Sequence, residues 1–433
     1  MSQQAANWDH CLEHAELSDV GLRRANNQDS LAVVIASSQE QWEQRGHLFM
    51  VADGMGAHAA GELASKLAAS IVPLTYHKLT DRAAPLALAE AIRDANGQIY
   101  SRGQASEEFR GMGTTFSALA ILPQGAVVAQ VGDSRTYRLR GQRLEQLSFD
   151  HSLVWEMRAA GRLPAEDVPT YIPKNIITRC LGPNPEVQVD LEGPFPIEPG
   201  DTFLLCSDGL SGQVKDDEIG KVLACLPPED AAHVLVDLAN LNGGPDNITI
   251  IVVHVTGAQV AQNGANGASP PGGAARAIHP GVWALLALLG LAGLGLLTVG
   301  QTVLAMLCLA GAAATGLATW MLHRAQPERP AATLDAQPLG RGPYAKFDCT
   351  PDDRFVARLA DLAQQLRDAA SHEEWSVEWE GFNTRTSQAA AAQQAGNHAD
   401  AVRESCHAIS FMMEQLRKHR NRARPDDSAV DLF

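Results

Sequence analysis

Four aspartates carry the chemistry available to the first half of this chain: Asp53 in FMVADGMG, Asp133 in AVVAQVGDSR, Asp208 in FLLCSDGLSG and Asp246 in GGPDNITIIVV. Each lies at the end or the start of a short run rich in Val, Ile, Leu or Phe and bounded by Gly or Pro, the pattern of a buried strand. Strands packed together deliver such carboxylates to one rim, where they repel unless cations or protons intervene. Carboxylate oxygens without thiolates or paired imidazoles suit Mg²⁺ or Mn²⁺, so metal-assisted hydrolysis is the chemistry expected. Any one of these aspartates would fit a turn or cap equally well, since Asp-Gly and Asp-Asn are turn signals. Upstream, SDVGLRRANNQDS sets Arg23 and Arg24 just before Asn26, Asn27 and Asp29. A guanidinium beside a metal cluster captures a phosphoryl group in two-pronged fashion, and the same pair would also serve as a surface salt bridge.

The elements that must position these residues alternate between strand-like and helix-like stretches from about Leu17 to Val255. We assign residues 1–256 to one domain and 257–280, rich in Gly, Ala, Asn and Pro, to a flexible linker. A length of 433 residues leaves room for two or three domains, and 45% hydrophobic content is ample for a large core. The formal charge of −16 argues against nucleic acid as a partner, because phosphate backbones are held by clusters of Lys and Arg. Seven cysteines are scattered through mostly apolar contexts without a CxxC pair, which suggests reduced, buried thiols in a cytosolic compartment, and the polar N-terminus lacks the form of a secretory signal.

Residues 281–323 are of another kind. Val282 to Leu322 contains no Asp, Glu, Lys, Arg or His. A single helix of roughly 41 residues would run about 60 Å, twice the ~30 Å hydrocarbon thickness, so two spans with a turn near Gly300-Gln301-Thr302 are expected. Arg276 precedes the first span and His323, Arg324 and Arg329 follow the second, which by the positive-inside rule puts both ends, the catalytic domain and the tail on the cytoplasmic side of the membrane. A buried helical hairpin is the competing reading. Residues 324–350 form a Pro-rich spacer, and 351–433 a helical tail with Phe355, Leu359, Leu362 and Leu366 at helical spacing, as are Val402, Ile409, Met412 and Leu416. AAAAQQAGNHADAVRESCHAISFMMEQL resembles one tetratricopeptide hairpin, or a plain helical hairpin packed on itself or on a partner. Trp375, Trp379 and Phe382 are either its core or a docking patch.

Eight blocks in order, SDVGLRRANNQDS, VADGMGAHAAGELAS, RGMGTTFSALA, VGDSRTYRLR, DHSLVWEMRAAG, NIITRCLG, LLCSDGLSG and GGPDNITIIVV, resemble the bacterial type 2C, metal-dependent Ser/Thr protein phosphatases over roughly residues 15–255. The resemblance implies an α+β fold, a four-layer αββα sandwich with two central antiparallel sheets, followed here by the membrane hairpin and the helical tail. It implies that Asp53 bridges two Mn²⁺ or Mg²⁺ ions with the Gly54 carbonyl completing the outer one, and that Asp208 and Asp246 hold the inner ion. Asp133, with Asp208, matches the position of a weaker third ion. Arg24 aligns with the arginine that receives the substrate phosphate, and Asp29 with a carboxylate that orients metal-bound water. The implied partners are phosphorylated proteins and a Ser/Thr kinase whose action the enzyme reverses. A catalytically silent phosphoprotein-binding or scaffolding module is the alternative.

The chain departs from the family in two places. Met55 stands where eukaryotic relatives carry a histidine proposed as general acid, and Gln28 replaces an acidic residue. His58, five residues after Asp53, reads as part of a packed helix. The stretch from Asp150 to Leu181 corresponds to a flap beside the active site, with Glu166, Asp167, Pro164, Pro169 and Pro173 forming an exposed loop suited to substrate selection. No Cys-x₅-Arg phosphate loop occurs, which disfavours cysteine-dependent phosphatase chemistry.

Overall fold

A computed structural model of the chain describes residues 11–56, 59–163, 172–173, 176–257, 338–373, 375 and 377–423, with a few isolated positions between 292 and 310. Two compact units are distinguished, Met1–Ala265 with Leu334–Phe433, and Asn266–Thr333.

Among the described residues the strands of the first unit are β1 (Leu12–Asp19), β2 (Asp29–Val34), β3 (His47–Met55), β4 (Gly113–Thr114), β5 (Phe116–Leu122), β6 (Gly125–Val131), β7 (Arg135–Arg140), β8 (Arg143–Gln146), β9 (Asp190–Phe195), β10 (Thr202–Cys206), β11 (Ile248–Val255) and β12 (Ala345–Asp348). The helices are α1 (Gln39–Arg45), α2 (Ala60–Lys78), α3 (Ala84–Ala105), α4 (Leu153–Ala159), α5 (Asp208–Ser211), α6 (Asp216–Cys225), α7 (Pro228–Leu241), α8 (Asp353–His372), α9 (Trp379–Gln394) and α10 (His398–Ala423). One antiparallel sheet has the order β1-β11-β10-β7-β8-β12 and the other β2-β3-β5-β6-β9, with β4 beside β3.

Strand periodicity explains the layering. In β11, Ile248, Ile250 and Val252 point to the helices α6 and α7, while Ile251, Val253 and Val255 meet the second sheet. In β3, Leu48, Met50 and Ala52 face α2 and α3, while Phe49 and Val51 face the first sheet. Alternate residues of one strand thus serve two cores, so these strands read as continuous apolar runs. On α2, the small side chains of Ala60, Ala64 and Ala68 recur every four residues and lie buried against the second sheet.

The four layers are those expected, and the chain adds a fifth. α8, α9 and α10 join the core of α6 and α7 through Phe355, Leu359, Val402, Ile409 and Met412, among others. The end of the expected spacer is also structured, because Ala345–Asp348 pairs antiparallel with β8 as an edge strand. So short a strand, paired with a partner far back in the chain, leaves no local signature. Trp375 and Phe382 are buried in this core. No helix among the described residues is long and apolar enough to cross a membrane. Nearly all of 281–323 lies outside the described residues.

Candidate metal centre

The carboxylates meet where strand ends of both sheets converge. Asp29 on β2 lies opposite Asp53 on β3 in the antiparallel register. The backbone at Asp53 is fixed on both sides: its N–H donates to Thr115 Oγ1 (2.9 Å), and its carbonyl accepts from Thr115 N (2.8 Å) and Thr114 Oγ1 (2.9 Å). Gly54 N donates to the Gln28 carbonyl (3.1 Å). A Cβ at Gly54 would stand 2.2 Å from the Gly61 carbonyl oxygen and 2.4 Å from that of Gln28, so only glycine allows this close approach.

Asp208 opens α5 directly after β10, and Asp246 stands one residue before Asn247 at the entrance to β11. The two turns touch, since a Cβ at Gly209 would lie 1.9 Å from the Asn247 carbonyl oxygen. Ser207 ties the centre together by donating from Oγ to Asp29 Oδ2 (2.9 Å) while accepting from Thr249 N (3.0 Å). Asn247 clamps the arginine-bearing loop onto β11. Its Oδ1 accepts from Gln28 N (2.9 Å), and its Nδ2 donates to the carbonyls of Val20 (2.9 Å) and Asn26 (3.0 Å). Arg24 Nη2 donates to Asp246 Oδ2 at 2.7 Å. Asp133, in the turn from β6 to β7, follows Gly132, whose N–H and carbonyl are both bonded to His151 (3.0 and 2.8 Å).

Electrostatics show that these groups share one site. Burial pushes the Asp53 carboxyl well above the usual range, and repulsion from Asp29, Asp208, Asp133 and Asp246 raises it further. Asp29 is raised by burial and by Asp208 and Asp246 against the donors Thr249 and Ser207. Asp133 is raised by burial, then by Asp208 and Asp150. Asp208 is raised by burial and Asp246, against a hydrogen bond with Asp53 and the nearby charges of Arg24 and Arg135. A cluster in which every added negative charge opposes the next is stabilised by bound cations.

The donor set fits a hard divalent ion. Asp29 Oδ1 and Asp208 Oδ1 are buried without a hydrogen-bond partner, an arrangement that costs free energy unless something positive meets them. Among the described residues no three His, Cys, Asp or Glu side chains close around a single point. Mg²⁺ is commonly held by one or two carboxylates with water completing its shell, a mode that these aspartates can supply.

All the aspartates singled out in the sequence lie in this centre, and Gly54 lies beside Asp53. Arg24 reaches it too, but is engaged with Asp246. His58 falls outside the described residues, as do Pro164, Glu166, Asp167 and Pro169 of the flap. Asn247, Ser207, Thr115 and His151 escaped the sequence reading. Their partners are remote in the chain, and Ser, Thr and Asn beside a strand carry no signal of their own.

Residues 23–238 match the protein phosphatase 2C family. Protein phosphatase PhpP of Streptococcus pneumoniae is 37% identical over 248 residues, which cover 56% of this chain and 98% of that protein. The Listeria welshimeri serine/threonine phosphatase stp is 36% identical over 247 residues, 56% of this chain and 95% of its own. Among solved structures, the S. agalactiae serine/threonine phosphatase superposes with a TM-score of 0.50 at 35% identity, covering 56% of this chain and 99% of that one. The Mycobacterium tuberculosis phosphatase PstP/Ppp gives a TM-score of 0.50 at 34% identity, covering 57% and 99%. Together with the carboxylate centre and the paired antiparallel sheets, these matches place the chain in the protein phosphatase 2C family.

Proposed function

We propose that this protein hydrolyses phosphoserine and phosphothreonine in other proteins with the aid of Mn²⁺ or Mg²⁺, opposes a Ser/Thr kinase, and is held at the cytoplasmic face of a membrane by residues 281–323. The observation that carries the catalytic reading is the convergence of Asp29, Asp53, Asp133, Asp208 and Asp246 on one rim, with Arg24 beside them.

Divalent ions at this centre would supply a water acidified toward neutrality and charge to offset the phosphoryl oxygens. Asp53, Asp208 and Asp246 would hold the core ions with the Gly54 carbonyl, and Asp133 a weaker third one with Asp208. Asp29, fixed by Ser207, offers a buried oxygen that accepts a proton from a neighbouring water. Arg24 exchanges its carboxylate partner for the incoming phosphate, whose oxygens its planar fork matches. Met55 cannot donate a proton, so the leaving alkoxide takes one from solvent at the rim.

The membrane reading rests on the uncharged stretch from Val282 to Leu322 and on chain topology. Residues on both sides of this stretch belong to one compact unit, so a segment that leaves after Gly257 and returns by Pro338 crosses a bilayer an even number of times.

The catalytic test is manganese-dependent hydrolysis of a phosphothreonine peptide. Asp53→Asn and Asp208→Asn should each lower kcat/KM by roughly 100-fold or more, since loss of an ion removes several kcal/mol of charge stabilisation. Wild-type protein as inert as both variants, with manganese supplied, would leave the silent binding module as the better account.

A further inference from the structure

Residues 338–344 re-enter the first unit across β9. Leu339 N donates to the Gly193 carbonyl (2.7 Å), Gly342 N to Glu192 Oε2 (2.9 Å), and Tyr344 OH to Glu192 Oε1. Glu192 is only 2% exposed, so the returning segment supplies donors to both oxygens of a buried carboxylate. A buried charge is stable only when met in this way.

The same tyrosine continues toward the metal centre. Its ring lies 5.2 Å from Phe149, and Phe149 in turn lies 5.7 Å from Trp155 on α4 and 6.1 Å from His151. His151 is buried, bonds both backbone groups of Gly132, and reaches Asp190 from Nε2 (2.9 Å). Trp155 packs under the guanidinium of Arg135, which ion-pairs with Asp150 at 2.8 Å. Phe149 therefore touches both the returning segment and α4, and reaches the turn bearing Asp133 through His151.

We propose that Tyr344 and Phe149 are positioning residues that set the Asp133 turn and α4, so that the segment returning from 258–337 governs uptake of the weakest-held ion and the affinity for phosphoprotein. The proposal builds on the phosphatase reading above. Packed aromatic contacts to a fixed backbone turn transmit displacement because close-packed interiors do not deform smoothly.

The test uses the full-length chain in detergent, with Phe149→Leu, Tyr344→Phe, and Tyr344→Phe combined with Glu192→Gln. Three quantities are read: the Mn²⁺ binding isotherm, kcat and KM for a phosphothreonine peptide, and Tm. In the two single variants the weakest manganese step should fall by up to about tenfold, the lower end of the range for groups bonded directly to a metal ligand, because Tyr344 and Phe149 act through His151 and Gly132, and KM should rise with kcat nearly unchanged at saturating metal. Adding Glu192→Gln to Tyr344→Phe replaces the carboxylate left without its hydroxyl donor by a neutral amide, and should return both values toward wild type. A lower Tm with the isotherm and KM of wild type would reduce the contact to packing and overturn the proposal. If wild type binds manganese without hydrolysing the peptide, the phosphatase reading fails instead, and the isotherms still decide whether the returning segment positions Asp133.

Discussion

Arg24 sits 2.7 Å from Asp246 with nearly half its side chain open to solvent, so it is held by one carboxylate and free to leave it. A cation at Asp246 would release it toward an incoming phosphate. Arg24→Lys keeps the charge but loses the planar fork; we expect KM for a phosphothreonine peptide to rise roughly tenfold with little change in Tm, as steady-state kinetics beside a melting curve would show. An unchanged KM would mean that the guanidinium serves Asp246 alone. At this scale the sequence was legible wherever a residue type is rare in its setting. A carboxylate closing an apolar run declares itself, which is why Asp53, Asp133, Asp208 and Asp246 stood out. Asn247 did not, because an asparagine at a strand entrance is ordinary, and its work depends on carbonyls at the far end of the domain sequence.

The helices of the tail illustrate the same contrast between local and remote information. The periodic apolar residues of α8 and α10 identified them as amphipathic, whereas nothing in the sequence said that the surface they cover is α6 and α7. Asp237 on α7 is fully buried, and its carboxylate is met by Ser410 (2.9 Å) and Arg417 (2.7 Å), both on α10. Burial raises its proton affinity above the ordinary carboxylate value, with Arg417 and Ser410 pulling the other way. Arg417→Met removes the cation and leaves a buried charge, at a cost of about 1–3 kcal/mol near neutral pH. The sign with pH follows from the raised value: protonated Asp237 needs no cation, so the deficit should shrink as pH falls toward the folded-state value and grow as pH rises above it. Urea melts of wild type and variant between pH 5 and 8, roughly the range in which the rest of the fold is most stable, will show this; a deficit independent of pH would exclude Asp237 as its source.

For the molecule as a whole, the family match covers little more than half the length, and the remainder is what distinguishes this chain. The four layers were legible through the family resemblance that eight ordered motifs carry; the alternation of strand-like and helix-like stretches by itself indicated only one mixed domain. The fifth was not, because it is contributed by a segment beyond the linker and the uncharged stretch. The proposed two-span reading of 281–323 predicts that reporters fused before residue 11 and after residue 423 occupy the same side, and that a probe at Gly300-Gln301-Thr302 lies on the other. Reporters on opposite faces would rule out the two-span hairpin.

The closing of Asp237 by Arg417 also bears on how the chain is made. Roughly 160 residues separate Gly257 from Arg417, and at about 5–20 residues per second a ribosome takes some ten to thirty seconds to cover them. Throughout that interval the nascent chain has β1 to β11 and the aspartate-bearing turns in hand, yet the outer face of α6 and α7 is bare and Asp237 is without its cation. Membrane insertion of 281–323, in the proposed reading, falls inside the same window. Chaperone capture should therefore be concentrated on nascent chains between those two lengths, and chains that have passed Arg417 should escape it.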